Sequence, residues 1–346
     1  MPTPLTYAVA ARPAPCDQAC AAGEPVRDWL GLLAGGGVRE AWGALVEANP
    51  LPAVLGRICY ADCERDCNRG GWDGALAIRE CERVLGDHAI EQGWALPAPR
   101  SPEGGPRRVA VVGSGPCGLS AAYQLARAGH EVVLHEAHHA LGGMLRRGIS
   151  ERRLPKAILD AEIGRILTLG VRAVPGSGVR RIEDALRGCD AVVWAAGASM
   201  CMAIVPGRTL WRQPVHTDRR VRRTATVSLG RGRRAARALI ADFAGRDFAE
   251  APAASVVGAD ELARWYYPAQ PPILAKAAGS GLQAAVAEAG RCLTCGDCSG
   301  CGNCQAVCPF GAVLARDGVR FAIDPDACCG CHLCAPECPT GAIVRR

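Results

Sequence analysis

Apolar residues in the middle of the chain follow the pattern of an α/β fold. The run Arg108-Val109-Ala110-Val111-Val112 predicts a buried strand, because strands covered on both faces are almost continuously apolar. A helical run follows from Leu119 to Ala128, and a second strand is predicted from Glu131 to Leu134. The succession of strand, turn, helix and strand indicates a βαβ unit.

A glycine-rich turn joins the first of these strands to the helix. It reads Gly113-Ser114-Gly115-Pro116-Cys117-Gly118, and Glu136 follows the second strand, 18 residues after Gly118. Such glycines allow a tight turn close to a pyrophosphate, which the helix N-terminus stabilises, while the acidic residue binds ribose hydroxyls. The context disfavours a coincidental glycine-rich turn, and we expect a bound dinucleotide. The motif alone does not distinguish FAD from NAD.

Proline and glycine divide the chain into segments. Residues 1–100 are predicted to form short helices, and the stretch from Pro97 to Pro106 has the composition of a linker. A connector from Tyr267 to Pro272 precedes a helix predicted from Leu282 to Ala289. The predicted domains are a helical domain over 1–100, a dinucleotide-binding domain over 105–250, a linker and helix over 251–290, and a C-terminal module over 291–346.

Eight of the 20 cysteines form two copies of the spacing C-x2-C-x2-C-x3-C-P near the C-terminus. In bacterial two-cluster ferredoxins, three thiolates of such a run hold one cubane cluster and the fourth reaches the other cluster. Zinc ribbons and free thiols are the alternatives, but zinc ribbons use separate C-x2-C pairs. The spacing predicts one [4Fe-4S] cluster on Cys298, Cys301, Cys304 and Cys338, and another on Cys328, Cys331, Cys334 and Cys308.

Further cysteines lie near the N-terminus with three residues between neighbours in each group. A separation of four positions places side chains on one face of a helix, which suits metal ligation. Structural thiols are the alternative. The cysteines in these groups are Cys16, Cys20, Cys59, Cys63 and Cys67. By contrast, Cys117, Cys189 and Cys201 are isolated in the sequence and are interpreted as small buried apolar residues.

Charge and hydropathy exclude several functions. The net charge is +6, and the arginine clusters at 219–223 and 231–237 lack interleaved aromatic residues, so a nucleic-acid partner is disfavoured. These arginines suit a docking face for an acidic partner. No signal pattern and no apolar run of membrane-spanning length occurs, which predicts a soluble, cytoplasmic protein with reduced cysteines.

Residues 16–245 resemble the small (beta) subunit family of glutamate synthase, which includes NAD(P)H-dependent iron–sulfur flavoproteins and the N-terminal half of dihydropyrimidine dehydrogenase. The junction 288–296 resembles a subfamily with an appended ferredoxin. Besides the glycine turn, the resemblance is carried by residues 49–52, 56–70, 77–80, 142–145, 153–156 and 190–198. It implies a multi-domain α/β protein with an N-terminal α-helical iron–sulfur domain, a Rossmann-like FAD domain and a C-terminal α+β ferredoxin domain.

The resemblance also implies the cofactors and their ligands. FAD is the dinucleotide expected at the glycine turn, and two [4Fe-4S] clusters are expected in the helical domain. The implied FAD-binding residues are Gly113, Gly115, Pro116, Gly118, Glu136, Gly143, Leu145, Asp218, Thr226 and Val227. One helical-domain cluster is expected on Cys20, Cys59, Cys63 and Glu82.

The chain departs from the family at the other helical-domain cluster. The family usually opens with four N-terminal cysteines, and only Cys16 and Cys20 match the last two. Cys292 and Cys295 form a C-x2-C pair that belongs to neither ferredoxin run. We therefore hypothesise that one cluster is shared by Cys16, Cys67, Cys292 and Cys295. The alternative is that this pair is unligated or assists the ferredoxin.

A second departure concerns nicotinamide binding. The family inserts an NAD(P)H domain after the position of Ala198, and such a domain needs on the order of 100 residues. Only about 20 residues separate Ala198 from Asp218, after which a segment resembling the end of the FAD fold resumes. The NAD(P)H domain is therefore predicted to be missing near 199–217.

These features predict an electron-transfer subunit of an oxidoreductase complex, passing electrons between FAD, [4Fe-4S] clusters and a partner. The expected partners are a dehydrogenase subunit, a 2-oxoacid oxidoreductase or a soluble ferredoxin, and substrate chemistry is expected to need that partner. One alternative is a cluster-carrying scaffold without flavin. Another is a self-contained NAD(P)H-dependent oxidoreductase.

Overall fold

The computed structural model describes residues 6–197, 200–212, 224–250, 255–274, 281–318 and 320–345. The strands are β1 (Tyr7–Val9), β2 (Arg108–Val112), β3 (Glu131–His135), β4 (Arg172–Val174), β5 (Ala191–Trp194), β6 (Met202–Val205), β7 (Arg208–Arg212), β8 (Val313–Arg316), β9 (Arg320–Ile323) and β10 (Ile343–Arg345). Asp218 lies outside the described residues.

The helices alternate with these strands and also form an N-terminal bundle. The α-helices are α1 (Pro15–Ala19), α2 (Val26–Ala34), α3 (Val38–Val46), α4 (Pro52–Ile58), α5 (Asp62–Arg65), α6 (Ile78–Glu91), α7 (Pro116–Arg127), α8 (Gly143–Arg147), α9 (Lys156–Leu167), α10 (Ile182–Leu186), α11 (Ala225–Phe243), α12 (Leu282–Ala289) and α13 (Asn303–Ala306). No helix in the described ranges is long and apolar enough to cross a membrane.

The N-terminal bundle contains a close crossing of helices α4 and α6. A Cβ atom at Gly56 of α4 would lie 2.5 Å from the Cα of Arg83 on α6, and one at Gly86 of α6 would lie 2.3 Å from the backbone nitrogen of Ala53. Because packed atoms cannot approach so closely, the crossing of α4 and α6 depends on these glycines. It brings the C-terminal end of α4 close to the middle of α6.

The central domain contains a six-stranded sheet in the order β4-β3-β2-β5-β6-β7. Strands β2 to β5 are parallel, whereas β6 and β7 form an antiparallel extension from β5. Because β2 lies between β3 and β5, the direction of winding reverses at β2, where ligands bind in open α/β sheets. The predicted βαβ unit is confirmed, although α7 begins earlier than predicted because Pro116 occupies its favoured position at the helix start.

The N-terminal end of the chain is part of the C-terminal module. Strand β1 pairs antiparallel with β10, with Tyr7 opposite Arg345 and Val9 opposite Ile343. The Tyr7 hydroxyl lies 2.6 Å from Nδ1 of His332. The sequence did not predict this strand, because its partner lies more than 330 residues away.

A buried ionic network joins the helical domain to helix α12. Arg291 is 1% exposed, and its guanidinium contacts Glu288 at 2.6 Å and Asp73 at 3.4 Å. Asp73 also pairs with Arg69 at 2.6 Å, and Glu288 accepts hydrogen bonds from the backbone of Ala77 at 3.0 Å. Breaking such a buried pair is costly, because it leaves an unpaired charge in the interior. The network therefore fixes the C-terminal module against residues 69–77.

A buried carboxyl group caps helix α4. The two oxygens of Glu162 on α9 accept hydrogen bonds from the backbone N–H groups of Ala53 at 3.0 Å and Val54 at 3.2 Å. These N–H groups belong to the first turn of the helix and have no partner within it. Burial nevertheless raises the pKa of Glu162 from 4.5 to about 8, against the opposing effect of these bonds and of Arg165.

We expect Glu162→Gln to flatten the dependence of stability on pH. Because the pKa of Glu162 is raised from 4.5 to about 8 in the folded state, folding takes up a proton between these values. The contribution of the protonated Glu162 carboxyl to the free energy of unfolding is therefore complete below about pH 4.5 and is lost as the pH rises towards 8. Melting temperatures measured from about pH 5.5 to 8.5 should fall less steeply in the variant. Parallel curves for the two proteins would contradict this prediction.

Candidate cofactor sites

The eight cysteines of the ferredoxin spacing line two separate cavities. One is lined by Cys298, Cys301, Cys304 and Cys338, together with apolar residues that include Phe321 and Ile343. The other is lined by Cys308, Cys328, Cys331 and Cys334 of the two runs, together with residues that include Cys329, Tyr7 and Phe310. Each cavity thus receives three thiols from one run and the fourth from the other run, which is the exchange that the spacing predicts.

These thiols surround cavities and do not converge on one point. Within the described ranges, no three His, Cys, Asp or Glu side chains are grouped as ligands of a single metal ion. A zinc ion needs its sulfur ligands about 2.3 Å from one centre, whereas a cubane cluster needs them at its corners. The preference for clusters over zinc rests on the C-x2-C-x2-C-x3-C-P spacing of the two runs.

A third cavity is lined by cysteines from opposite ends of the chain. Its cysteines are Cys16, Cys67, Cys292 and Cys295. The Asn68 amide lies 3.5 Å from the Cys295 sulfur, and the Arg27 guanidinium donates to the Cys295 carbonyl at 3.2 Å. Burial raises the pKa of Cys292 to about 12 and that of Cys295 to about 11. Buried thiolates here require a cationic partner, which cluster iron would supply.

A fourth group of candidate ligands, Cys20, Cys59, Cys63 and Glu82, lies where α4, α5 and α6 meet. Electrostatic repulsion from Cys20 and Cys59 contributes to raising the pKa of Cys63, and repulsion from Cys59 contributes to raising the pKa of Glu82. These four side chains are therefore neighbours. Glu82 is 5% exposed and accepts a hydrogen bond from the Asn49 amide at 2.7 Å. The structure thus brings together the three cysteines and the carboxyl group that the resemblance implied.

Sequence analysis missed a second carboxyl group in this fourth group. Glu24 is 5% exposed, and the Asn49 amide donates to it at 2.9 Å as well as to Glu82. Burial raises the pKa of Glu24 to about 7. Its position four residues after Cys20 was the available signal, but nothing in the sequence indicates that Glu24 faces the same interior as Glu82.

The expectation that the N-terminal cysteines share a helical face is wrong. Cys59 ends α4, Cys63 lies in the single turn of α5, and Cys67 follows that turn. Between the two helices the backbone of Ala61 adopts a left-handed conformation with φ of 55°, which interrupts the helical repeat. As a result, Cys59 and Cys63 join the fourth group, whereas Cys67 lines the third cavity.

The glycine turn has the geometry that close ligand approach requires. Gly113 has φ of 102°, and a Cβ atom at Gly118 would lie 1.7 Å from the Gly113 carbonyl oxygen. Gly143 packs against Gly115, where a Cβ atom would lie 2.8 Å from the Gly115 Cα. Pro116 is the first residue of α7, and Leu145 of α8 is buried. Backbone thus surrounds the turn, as a pyrophosphate site needs.

Glu136 lies directly beside this turn. Its carboxylate accepts hydrogen bonds from the backbone N–H of Ser114 at 3.1 Å and of His138 at 3.0 Å. Burial opposes ionisation, but the bonds from Ser114 and His138 outweigh it and hold the pKa of Glu136 below its ordinary value. An ionised acceptor at the end of β3 suits ribose hydroxyls.

Two further residues that the resemblance implies as FAD ligands lie on α11. Thr226 and Val227 lie in its first turn, and the Val227 N–H donates to the side chain of Thr224 at 3.1 Å. The Thr226 hydroxyl donates to the Cys59 sulfur at 3.2 Å. Thr226 therefore contacts a residue of the fourth group, which sequence analysis did not anticipate.

Two other sequence interpretations need correction. Cys117 and Cys201 are not isolated, because their sulfur atoms lie 2.9 Å apart beside the glycine turn. Only part of the arginine cluster on α11 is available as a docking face: Arg231 is 6% exposed and Arg233 donates to the Gly23 carbonyl at 2.8 Å, whereas Arg237 is exposed. Arg233 links α11 to the helical domain. The arginines at 219–223 lie outside the described residues.

Three family models match successive parts of the chain. Dihydropyrimidine dehydrogenase domain II, 4Fe-4S cluster, matches residues 9–94. An NAD(P)-binding Rossmann-like domain matches residues 111–185, and a 4Fe-4S dicluster domain matches residues 297–343. The chain thus has 4Fe-4S domains towards both ends and a Rossmann-like nucleotide-binding domain between them.

Over 199 residues the chain is 38% identical to the glutamate synthase [NADPH] small chain of Mycobacterium tuberculosis. Homologues of the chain therefore include the glutamate synthase small chain. The match covers 56% of this chain and 41% of the mycobacterial protein, so the chain spans about two fifths of the length of that relative.

The chain is also similar to other proteins. It is 36% identical over 207 residues to the NADP(+)-dependent formate dehydrogenase subunit beta of Moorella thermoacetica, a match that covers 53% of this chain and 29% of that protein. Among solved structures, histamine dehydrogenase from Rhizobium sp. 4-9 matches 30% of this chain and 16% of that chain, with 32% identity and a TM-score of 0.24.

Proposed function

We propose that this chain is an electron-transfer iron–sulfur flavoprotein subunit of an oxidoreductase complex. It passes electrons between FAD at the glycine turn, four [4Fe-4S] clusters and a partner protein. The observation that carries the proposal is a series of four cysteine-rich sites, of which the first is hydrogen-bonded to the Rossmann-like domain through Thr226 and the last has the exposed Cys331 in its lining.

Contacts at the Rossmann-like end support the first part of this path. Thr226 on α11 is hydrogen-bonded to Cys59 of the fourth group at 3.2 Å. Cys63 of that group is separated by one turn of chain from Cys67, which lines the third cavity. Electrons leaving the Rossmann-like domain would therefore enter the site of Cys20, Cys59, Cys63 and Glu82 first.

Contacts at the other end support the rest of the path. Directly after Cys295, the backbone N–H of Gly296 donates to the carbonyl of Thr340 at 2.6 Å. The hydroxyl of Thr340 lies 3.6 Å from the sulfur of Cys338, which lines the next cavity. At the last cavity Cys331 is exposed and Phe310 is 59% exposed, so this site is the one from which electrons would reach a partner.

At the glycine turn the protein would hold FAD in position and provide the polar and charged groups that contact it. FAD, when bound, converts between two-electron and one-electron transfer. The N–H groups at the start of α7 would bind its pyrophosphate, and the ionised Glu136 would accept hydrogen bonds from its ribose. Gly143 would pack against the cofactor, because it adjoins the turn at Gly115, and the buried Leu145 follows it on α8.

The chain is proposed to lack a nicotinamide site of its own. The sheet carries one glycine turn of this type in the described residues, and β5 leads into the short antiparallel pair β6 and β7. Electrons would then come from, or go to, a separate dehydrogenase subunit, a 2-oxoacid oxidoreductase or a soluble ferredoxin.

A self-contained NAD(P)H-dependent oxidoreductase is the second candidate. The match of residues 111–185 to an NAD(P)-binding Rossmann-like domain favours it. In that case the nicotinamide cofactor, and not FAD, would occupy the glycine turn. The two candidates differ in whether the isolated chain reacts directly with NADH or NADPH.

The cofactor content of protein purified without oxygen tests the proposed function. We expect about sixteen iron atoms, corresponding to four cubane clusters, and about one FAD per chain. The visible absorbance should not be bleached by NADH or NADPH but should be bleached by dithionite. Iron without flavin would indicate a cluster-carrying scaffold, and bleaching by either nucleotide would indicate the self-contained oxidoreductase.

The double substitution Cys292→Ser and Cys295→Ser tests the cluster shared by the two ends of the chain. We expect iron to fall from about sixteen to about twelve atoms per chain, because one cubane loses two ligands. Cys189→Ser is the matched control, since Cys189 lines none of the three cysteine cavities.

Retention of the ferredoxin signals in electron paramagnetic resonance would show that the double variant is folded. Iron equal to that of the wild type in such folded protein would refute the shared ligand set. If the double variant loses the ferredoxin signals, the iron content of the single variant Cys295→Ser would be compared with that of the wild type in the same way.

A further inference from the structure

A hydroxyl group of the Rossmann-like domain is hydrogen-bonded to a sulfur atom of the helical domain. The Oγ1 of Thr226 donates to Sγ of Cys59 at 3.2 Å. The same sulfur accepts a second hydrogen bond, from the backbone N–H of Ala61 at 3.3 Å. Thr226 is 6% exposed, so water competes little for either partner.

The surrounding fold holds this hydroxyl in place. Thr224 caps the helix that carries Thr226 by accepting from the Val227 N–H at 3.1 Å. Farther along the same helix, Cβ atoms at Gly230 and Gly232 would lie 1.9 Å from the carbonyl oxygens of Ala21 and Cys117 respectively. The first contact fixes α11 against the helical domain and the second fixes it against the glycine turn, so the donor is positioned before any cofactor binds.

A hydrogen bond to a cysteine sulfur changes the energetics of a cluster bound to it. Reduction adds negative charge to the cluster and its thiolates, and a donor aimed at the sulfur stabilises the reduced form more than the oxidised form. The start of α11 adds to this effect, because the N-terminus of a helix of 19 residues carries partial positive charge. Both contributions raise the reduction potential.

We propose that Thr226 is a positioning residue that raises the reduction potential of the cluster held by Cys20, Cys59, Cys63 and Glu82. This inference rests on the proposed function, because it requires a cluster at that site. The effect makes this cluster the acceptor for electrons leaving the Rossmann-like domain. One side chain of the nucleotide-binding fold thereby sets the driving force of the first transfer step.

The substitutions Thr226→Val and Thr226→Ser test the role of the hydroxyl. Valine keeps the branched shape of threonine and removes the donor, whereas serine restores the donor. Midpoint potentials would be measured by anaerobic titration followed by electron paramagnetic resonance, with the relevant signal identified as the one that Cys63→Ser abolishes. Thr168→Val is the control, since Thr168 bonds the Arg165 carbonyl at an exposed site away from the cysteines.

We expect the potential of this one cluster to shift downwards in Thr226→Val and to return to the wild-type value in Thr226→Ser. Iron content should be unchanged in both variants. An unchanged potential in Thr226→Val would overturn the inference, as would a shift confined to the flavin. Absence from the wild type of any signal that depends on Cys63 would instead refute the proposed cluster, so the two failures are distinguishable.

Discussion

The structure depends on how charge is accommodated around buried thiols. Burial raises the pKa of Cys16 and Cys63 far above the ordinary value and that of Cys304 to about 12. Without a cation these thiols remain protonated at neutral pH, and bringing four thiolates together would be strongly unfavourable. In the proposed clusters, iron would remove that penalty and join segments far apart in sequence. We therefore expect cofactor binding and folding to be coupled in this chain.

The two ends of the chain meet at one of the proposed cluster sites. Strand β1 completes the sheet of the C-terminal module, and Cys16 follows it directly into the cavity shared with Cys292 and Cys295. The ionic network of Arg291 fixes the same junction from the other side. A ferredoxin held in this way cannot swing freely, so the separations between neighbouring clusters are set by the fold.

Sequence reasoning succeeded where the relevant residues are close together in the chain. The βαβ unit, the glycine turn, helix α12 and the exchange of cysteines between the two ferredoxin runs all follow from spacings of about thirty residues or fewer. The grouping of Cys20, Cys59 and Cys63 with Glu82 needed the family resemblance. No local pattern brings α1, α4, α5 and α6 to one point.

The features that sequence reasoning missed depend on contacts between distant segments. The left-handed turn at Ala61 sends Cys63 and Cys67 to different sites, although their spacing is that of a helix. Thr226 reaches the fourth group because Gly230 lets α11 approach the backbone of Ala21 closely, and Glu24 reaches it from the loop before α2, where the Asn49 amide donates to it. Tertiary packing overrides the local periodicity in each case, and a single sequence carries no record of such packing.

Anomalous X-ray diffraction at the iron absorption edge, on crystals grown without oxygen, tests the central claim most directly. We predict iron density at four positions: the three cysteine-lined cavities and the site between Cys20, Cys59, Cys63 and Glu82. The positions should follow one another from the glycine turn to the exposed Cys331. An iron-free cavity at Cys16, Cys67, Cys292 and Cys295, or zinc in place of iron, would contradict the account.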